Sequence, residues 1–282
     1  MESEVEHVKL GLSTLLYPDE PPMRSIQIAS RFDLDYVEII LEPYFPRNPD
    51  SNYLKELGDS IRAEGLDVRV HGRAWDLNPT SGYPKIRELA LTQARKGIET
   101  CSLLDGDVIT LHPGWCWFRE GEEYLEKCME KYIHYIEEVE EISREQGIKI
   151  AVETGGLGID FPKGIPEFKR VMKSRENVGV TVDTGHLFLT AFRSGMNRPE
   201  QKIVNYIEEL GDKLVNVHLH DNSGMSDEHR VPGRGKIDFA PVLKSLKDRY
   251  TGPIILEIQK PPHPDEAAEE GIEWIREKIR RI

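Results

Sequence analysis

The sequence lacks the features of disulfide-rich, secreted and membrane-spanning proteins. Its 282 residues contain three cysteines and no CxxC pair, which is typical of a reduced, cytoplasmic protein. No apolar run approaches the ~18 residues of a membrane span, and the acidic N-terminus has no apolar segment of the kind found in secretory signals. Low-complexity tracts and Gly/Ser linkers are also missing. We therefore expect a single domain over residues 1–282 that neither spans nor binds a membrane.

The sequence also lacks a surplus of basic residues. Lys and Arg number 37 against 50 Asp and Glu, which gives a net charge of −13. A protein without a basic surplus has no general electrostatic footprint for nucleic acid or anionic lipid. This argues only weakly against DNA, because a concave site that holds cations can bind phosphate in an acidic protein.

Short β-branched apolar runs alternate with longer amphipathic stretches along the whole chain. The predicted strands are residues 8–13, 36–41, 67–71, 107–112, 148–153, 178–183, 214–219 and 254–258. The predicted helices are residues 22–32, 51–64, 84–103, 122–146, 165–174, 198–210, 239–248 and 266–281. Eight strand–helix units predict an α/β fold whose parallel strands close into a (β/α)8 TIM barrel. A doubly wound open sheet is the alternative, but it normally has a glycine-rich turn after its first strand, and residues 13–16 contain no glycine.

Potential metal ligands stand at the ends of six consecutive predicted strands, the third to the eighth. They are His71, His112, Glu153, Asp183, His218 and Glu257, and the loops that follow add His186, Asp227 and His229. One such histidine is more often structural than ligating. Nine ligand-type residues at the rim where barrel enzymes hold their active sites are harder to explain by structural roles alone. Without bound cations, their carboxylates would repel one another. The pattern predicts a divalent metal site for zinc or manganese, with one to three ions.

In its motifs the chain resembles the xylose isomerase-like barrel superfamily, which contains sugar isomerases, sugar epimerases and the endonuclease IV group of abasic-site nucleases. The motifs are VHGRAWDLNP at 70–79, LHPG at 111–114, AVETGG at 151–156, VDTGH at 182–186, HLHDN at 218–222, DEHRVPGRG at 227–235 and LEI at 256–258. Each motif alone is weak, but the set in this order is specific and spans nearly the whole chain.

The resemblance implies two nested ligand sets. Glu153, Asp183, His218 and Glu257 correspond to the metal site that the isomerases and epimerases share. The additional ligands, which endonuclease IV uses to hold three zinc ions, correspond to His71, His112, His186, Asp227 and His229. Three departures separate this chain from the nucleases: GRAWDLNP replaces their duplex-probing segment, Gly185 stands where they usually carry cysteine, and Arg234 stands where they usually carry glutamate.

Two functions follow as hypotheses, and the first is preferred. It is isomerisation or epimerisation of a small sugar or sugar phosphate through an enediolate, with Glu153 and Glu257 passing the proton and His186 orienting a hydroxyl. Substrate contacts are predicted for Arg230, Arg234, Lys236 and Trp115, although solvated or loop-packing roles are the alternatives for these four. Under this hypothesis the partner is a small molecule.

The second hypothesis is zinc-dependent cleavage of the phosphodiester backbone at abasic sites, and only it makes DNA a partner. The nine ligands support it, whereas the altered probe segment and the scarcity of positive charge oppose it. Other metal-dependent lyase or hydrolase chemistry and a non-catalytic scaffold are further alternatives. A scaffold would leave the nine ligands unexplained, and the sequence leaves the oligomeric state open.

Overall fold

The computed structural model describes residues 8–42, 45–118 and 121–282, and they contain a closed barrel of eight parallel strands. The strands are β1 (Leu10–Ser13), β2 (Tyr36–Ile40), β3 (Asp67–His71), β4 (Val108–Leu111), β5 (Lys149–Glu153), β6 (Val178–Asp183), β7 (Leu214–Leu219) and β8 (Ile254–Leu256). The barrel closes where β1 pairs with β8, with Leu10 opposite Ile254. The predicted (β/α)8 barrel is therefore confirmed, and each strand lies within two residues of its predicted bounds.

Helices surround the barrel. They are α1 (Met23–Arg31), α2 (Ser51–Ala63), α3 (Pro84–Leu103), α4 (Glu122–Glu145), α5 (Ile165–Met172), α6 (Thr184–Arg193), α7 (Glu200–Leu210), α8 (Phe239–Arg249) and α9 (Pro264–Arg281). As predicted, α4 ends just before Gly147, whose φ of 70° favours glycine. None of the helices in the described residues is long and apolar enough to cross a bilayer.

One helix is absent from the sequence prediction. The residues that follow β6 were expected to form a loop, and this expectation is wrong, because α6 begins at Thr184. The Asp183 side chain caps it by accepting a hydrogen bond from the His186 backbone N–H at 2.7 Å. Since Leu187, Phe188 and Leu189 are all buried, α6 has no amphipathic stripe to reveal it. His186 accordingly lies in the first turn of a helix.

A short antiparallel pair of strands, which was not predicted from the sequence, lies beyond the barrel rim. Gly114–Trp115 pairs with Asp160–Phe161, which joins the loop after β4 to the loop after β5. The Trp115 backbone N–H donates to the Asn78 side-chain oxygen at 2.9 Å. Two-residue strands are too short for periodicity to show, so this pairing appears only in the fold.

Polar side chains fill the barrel interior below the rim, where apolar layers are more usual. We call these five buried residues the polar column: Glu38, Arg69, Thr110, Thr181 and Asn216. Asn216 Nδ2 donates to Glu38 Oε1 at 2.9 Å, and Arg69 Nη1 donates to Asn216 Oδ1 at 2.9 Å. The Thr110 and Thr181 hydroxyls are 2.9 Å apart. The column supports the site above it through hydrogen bonds inside the barrel.

Candidate metal centre

Four strands deliver the first set of ligand-type side chains, which we call the central group: Glu153, Asp183, His218 and Glu257. Glu153 and Asp183 end β5 and β6, and Glu257 directly follows β8. Parallel pairing places His218 opposite both Asp183 and Ile255, so these side chains meet at one rim. One ligand atom from each of the four lies within 4.8 Å of the others, and all four residues are buried.

A second set, the His71 group, consists of His71, His112 and Glu153. His112 Nε2 lies 2.8 Å from Glu153 Oε2, and His71 Nε2 lies 3.5 Å from the same oxygen. Glu153 therefore belongs to both groups, because its other oxygen lies 2.9 Å from His218 Nδ1. A carboxylate shared in this way can bridge two cations.

A third set, the Asp227 group, consists of His186, His220, Asp227 and His229. Asp227 Oδ2 lies 2.9 Å from His186 Nε2 and 3.2 Å from His229 Nε2. His220 stacks on His229 with ring centroids 3.8 Å apart, and its Nε2 lies 3.0 Å from Asp183 Oδ1. The sequence analysis assigned no ligand role to His220, and the structure places it within this group.

Backbone carbonyl groups anchor three of the histidines in the same way. The Nδ1 atoms of His71, His186 and His229 lie 2.9–3.0 Å from the carbonyl oxygens of Gly72, Thr154 and Glu257, respectively. A carbonyl oxygen only accepts, so each Nδ1 carries the proton and donates it. Each Nε2 then faces the carboxylates, which is the orientation that metal-binding histidines usually have.

Glu38 anchors the fourth histidine from below. Its Oε2 lies 2.9 Å from His218 Nε2, which leaves His218 Nδ1 directed at Glu153 and Glu257. Sequence reasoning missed Glu38. The available signal was a charged residue in the middle of the buried run YVEII, since a buried carboxylate needs a partner.

Opposite charges perturb the ionisation of both residue types. Burial opposes the charged form of Asp183, yet nearby His186 and His220 lower its pKa to about 2. Burial also disfavours a charged His71, but its hydrogen bond and charge interaction with Glu153 raise its pKa to about 9. The pKa of Glu153 is held well below its usual value, despite burial, mainly by His112 and His218. Without a cation, protonated histidines neutralise these carboxylates.

The residues fit a divalent cation. Glu257 Oε2 is buried without a hydrogen-bond partner among the described residues, although His218 Nδ1 and His229 Nδ1 lie 3.4 and 3.5 Å away. A buried carboxylate oxygen in this state is costly unless a cation binds it. Imidazole nitrogen combined with carboxylate oxygen is a donor set that suits zinc and manganese.

Gly185 and His220 form a matched pair. A Cβ atom at position 185 would overlap three atoms of the His220 ring, so only glycine leaves room for the ring. The glycine in VDTGH, noted above as a departure from the nucleases, therefore accompanies a histidine that belongs to the Asp227 group.

The predicted substrate residues are less centrally placed. Arg230 pairs with Glu228 at 2.5 Å, and Arg234 pairs with Glu270 on α9; both arginine side chains are exposed. The Lys236 ammonium lies 5.1 Å from the centre of the Phe192 ring. The structure thus places neither guanidinium among the ligand groups. Trp115 is half-buried on the loop after β4, and its ring contacts that of Trp117 edge-on.

Known proteins share this architecture. A family model described as xylose isomerase-like TIM barrel matches residues 26–278. An uncharacterized protein of Methanocaldococcus jannaschii is 31% identical over 96% of this chain and 92% of its own length. A solved D-tagatose 3-epimerase-like protein has a TM-score of 0.79 and 27% identity, and the match covers 97% of this chain and 99% of that one. D-psicose 3-epimerase from Clostridium cellulolyticum H10, solved with D-tagatose, has a TM-score of 0.77 over 96% of this chain and 99% of its own; at 19% identity it shows likeness of fold alone.

Proposed function

The chain belongs to the xylose isomerase-like TIM barrel family, and on that premise we propose that it is a divalent-metal-dependent isomerase or epimerase of a small sugar or sugar phosphate. The observation that supports this most is the placement of two buried carboxylates, Glu153 and Glu257, whose oxygens lie 2.9 and 3.4 Å from His218 Nδ1 in the central group. The likeness to a D-tagatose 3-epimerase-like protein agrees with a sugar substrate.

Under this proposal the central group holds the cation. When bound there, a divalent cation supplies Lewis acidity that favours loss of a proton from the carbon beside a carbonyl. Glu153 and Glu257 reach the mouth from different strands, so one takes the proton from one face of that carbon and the other returns a proton to the opposite face. Return to the opposite face gives epimerisation, and return to the neighbouring carbon gives isomerisation.

His186 and the histidines around it position the substrate. The His186 Nδ1–H is committed to the Thr154 carbonyl, so its Nε2 is the atom available to a substrate hydroxyl or to Asp227. Fixed ring orientations require little reorganisation when charge develops on the substrate. Burial of the site excludes bulk water, which strengthens these interactions.

Abasic-site DNA cleavage is the second candidate, and one observation favours it. The His71 group and the Asp227 group offer ligands beyond the four that an isomerase needs, and together with the central group they could hold several cations. Closely spaced metals are typical of phosphodiester hydrolysis.

The two candidates differ in their dependence on the additional ligands. An isomerase that uses the central group should lose activity only partially in His71→Ala, His112→Ala or His229→Ala. A trinuclear nuclease should lose about 10² to 10⁴ in rate from any one of them. The parent protein should be assayed at defined salt on an abasic-site duplex and on ketoses and their phosphates. Solvent deuterium entering a sugar carbon without DNA incision is expected; efficient incision that is lost in His229→Ala would overturn the proposal.

A further inference from the structure

Two adjoining cavities lie outside the metal centre at the carboxyl end of the barrel. Their volumes are about 540 and 190 Å³, and both are bounded by the loop after β2, the loop after β3 and helix α3. They share five lining residues, and we call the combined space the rim cavity: Arg47, Asn48, Arg73, Gln93 and Lys96. None of these residues was singled out from the sequence.

The rim cavity gathers three cations in a chain whose net charge is −13. Arg47, Arg73 and Lys96 have no carboxylate within ion-pair distance among the residues that the structure describes. Lys96 Nζ contacts only a neutral partner, the Asn48 side-chain oxygen, at 2.9 Å. Arg73 Nη2 donates to the Pro46 carbonyl at 2.9 Å, which is also a neutral partner. Cations that lie close together outside any ion pair suit an anionic ligand.

Acidic side chains also line the two cavities. Glu42 and Asp76 also line the larger cavity, and Glu99 lines the smaller one. Glu42 Oε2 accepts hydrogen bonds from the backbone N–H groups of Ala74 and Trp75 at 3.1 and 3.0 Å, so it is committed to the loop after β3. By contrast, the arginines for which a substrate contact was predicted, Arg230 and Arg234, are each paired with a glutamate.

We propose that the rim cavity binds the phosphoryl group of a phosphorylated sugar whose reacting carbon lies at the metal centre. The inference rests on the proposed function, and it narrows the proposed substrate from a sugar or sugar phosphate to a sugar phosphate. Arg73 follows the ligand-type residue His71 by two positions, so their Cα atoms are at most about 7 Å apart. The planar guanidinium groups suit phosphate oxygens, and the exposed Trp75 ring at the cavity edge offers an apolar face for the sugar.

Calorimetric titration of the protein as purified tests this without requiring turnover. The probes are fructose and fructose 6-phosphate, which differ only in the phosphoryl group. Arg47→Gln and Lys96→Gln should each weaken fructose 6-phosphate binding by about tenfold, because each removes one charged contact to phosphate. Fructose binding should stay unchanged. The matched control is Arg95→Gln on the same helix, whose guanidinium lies 3.5 Å from Glu138 and does not line either cavity.

The outcomes separate this inference from the proposed function. Fructose 6-phosphate affinity that is equal in the parent, both variants and the control would overturn the inference, since the phosphate would then bind elsewhere. Turnover of unphosphorylated ketoses alone would overturn it too, while leaving the isomerase proposal intact. Weaker binding of fructose 6-phosphate, but not of fructose, in Arg47→Gln and Lys96→Gln would support phosphate binding in the rim cavity. If no sugar were converted in that case, the proposed function would be wrong and the inference would stand.

Discussion

Removal of metal should make the stability of this protein depend on pH above neutrality. In the metal-free protein the pKa of His71 is raised from 6.5 to about 9 by Glu153, despite burial. A raised pKa stabilises the folded state fully below the unfolded value of 6.5, and this stabilisation is lost as pH rises through 9. The difference of about 2.5 pKa units, at ~1.4 kcal/mol per unit, corresponds to about 3.5 kcal/mol. For a chain of 282 residues that is a fall in Tm of about 5 °C.

The assay is thermal unfolding of chelator-treated protein at intervals between pH 6 and 9.5. The His71→Gln variant should lack this part of the decline, and His134→Gln, which alters an exposed histidine on α4, should retain it. Added zinc or manganese should raise Tm more at pH 8.5 than at pH 6.5, because cations compete with fewer protons at the higher pH. A Tm of the chelated parent that stays level or rises between pH 6.5 and 9 would refute the reasoning, as would an equal decline in His71→Gln.

Three further outcomes are expected. Glu153→Gln should abolish turnover while the protein stays folded, measured by steady-state assay and circular dichroism; activity within about threefold of the parent would show that Glu153 is neither an essential ligand nor a base. Gly185→Ala should cost about 1–3 kcal/mol by displacing the His220 ring, whereas Gly82→Ala, where a Cβ meets open space, should change little in the same denaturant titration. The purified protein should carry one to three equivalents of divalent metal by elemental analysis, and finding neither metal nor a thermal shift with any divalent ion would contradict the site.

The barrel and the position of its site could be predicted because both depend on local patterns. Each strand is a short buried run, and parallel strands present their carboxyl ends to one rim. Residues such as His71 and Asp183, which end strands, therefore had to lie near one another once the fold was known. Their positions at strand ends were enough to predict this proximity, and the orientation of the side chains was not needed.

Other features depend on contacts between distant segments, and the sequence does not reveal them. Glu38 lies in the middle of β2, and only the closed barrel shows that it meets His218, 180 positions later. Arg47 and Lys96 line the same cavity because the loop after β2 and helix α3 border it. Arg230 was predicted to contact the substrate, but its pairing with Glu228 depends on how the loop folds back.

The polar column limits which residues of the barrel can be substituted one at a time. Its hydrogen bonds run from Arg69 through Asn216 to Glu38, and Glu38 holds His218. Substitution of one of these residues leaves the hydrogen-bonding group of a buried partner unsatisfied. Tolerated substitutions must therefore occur together on three strands. Exposed residues of the loops above the rim, outside the three ligand groups, have no such buried partners. Laboratory evolution toward new substrates should therefore accumulate substitutions in those loops and leave the barrel floor as it is.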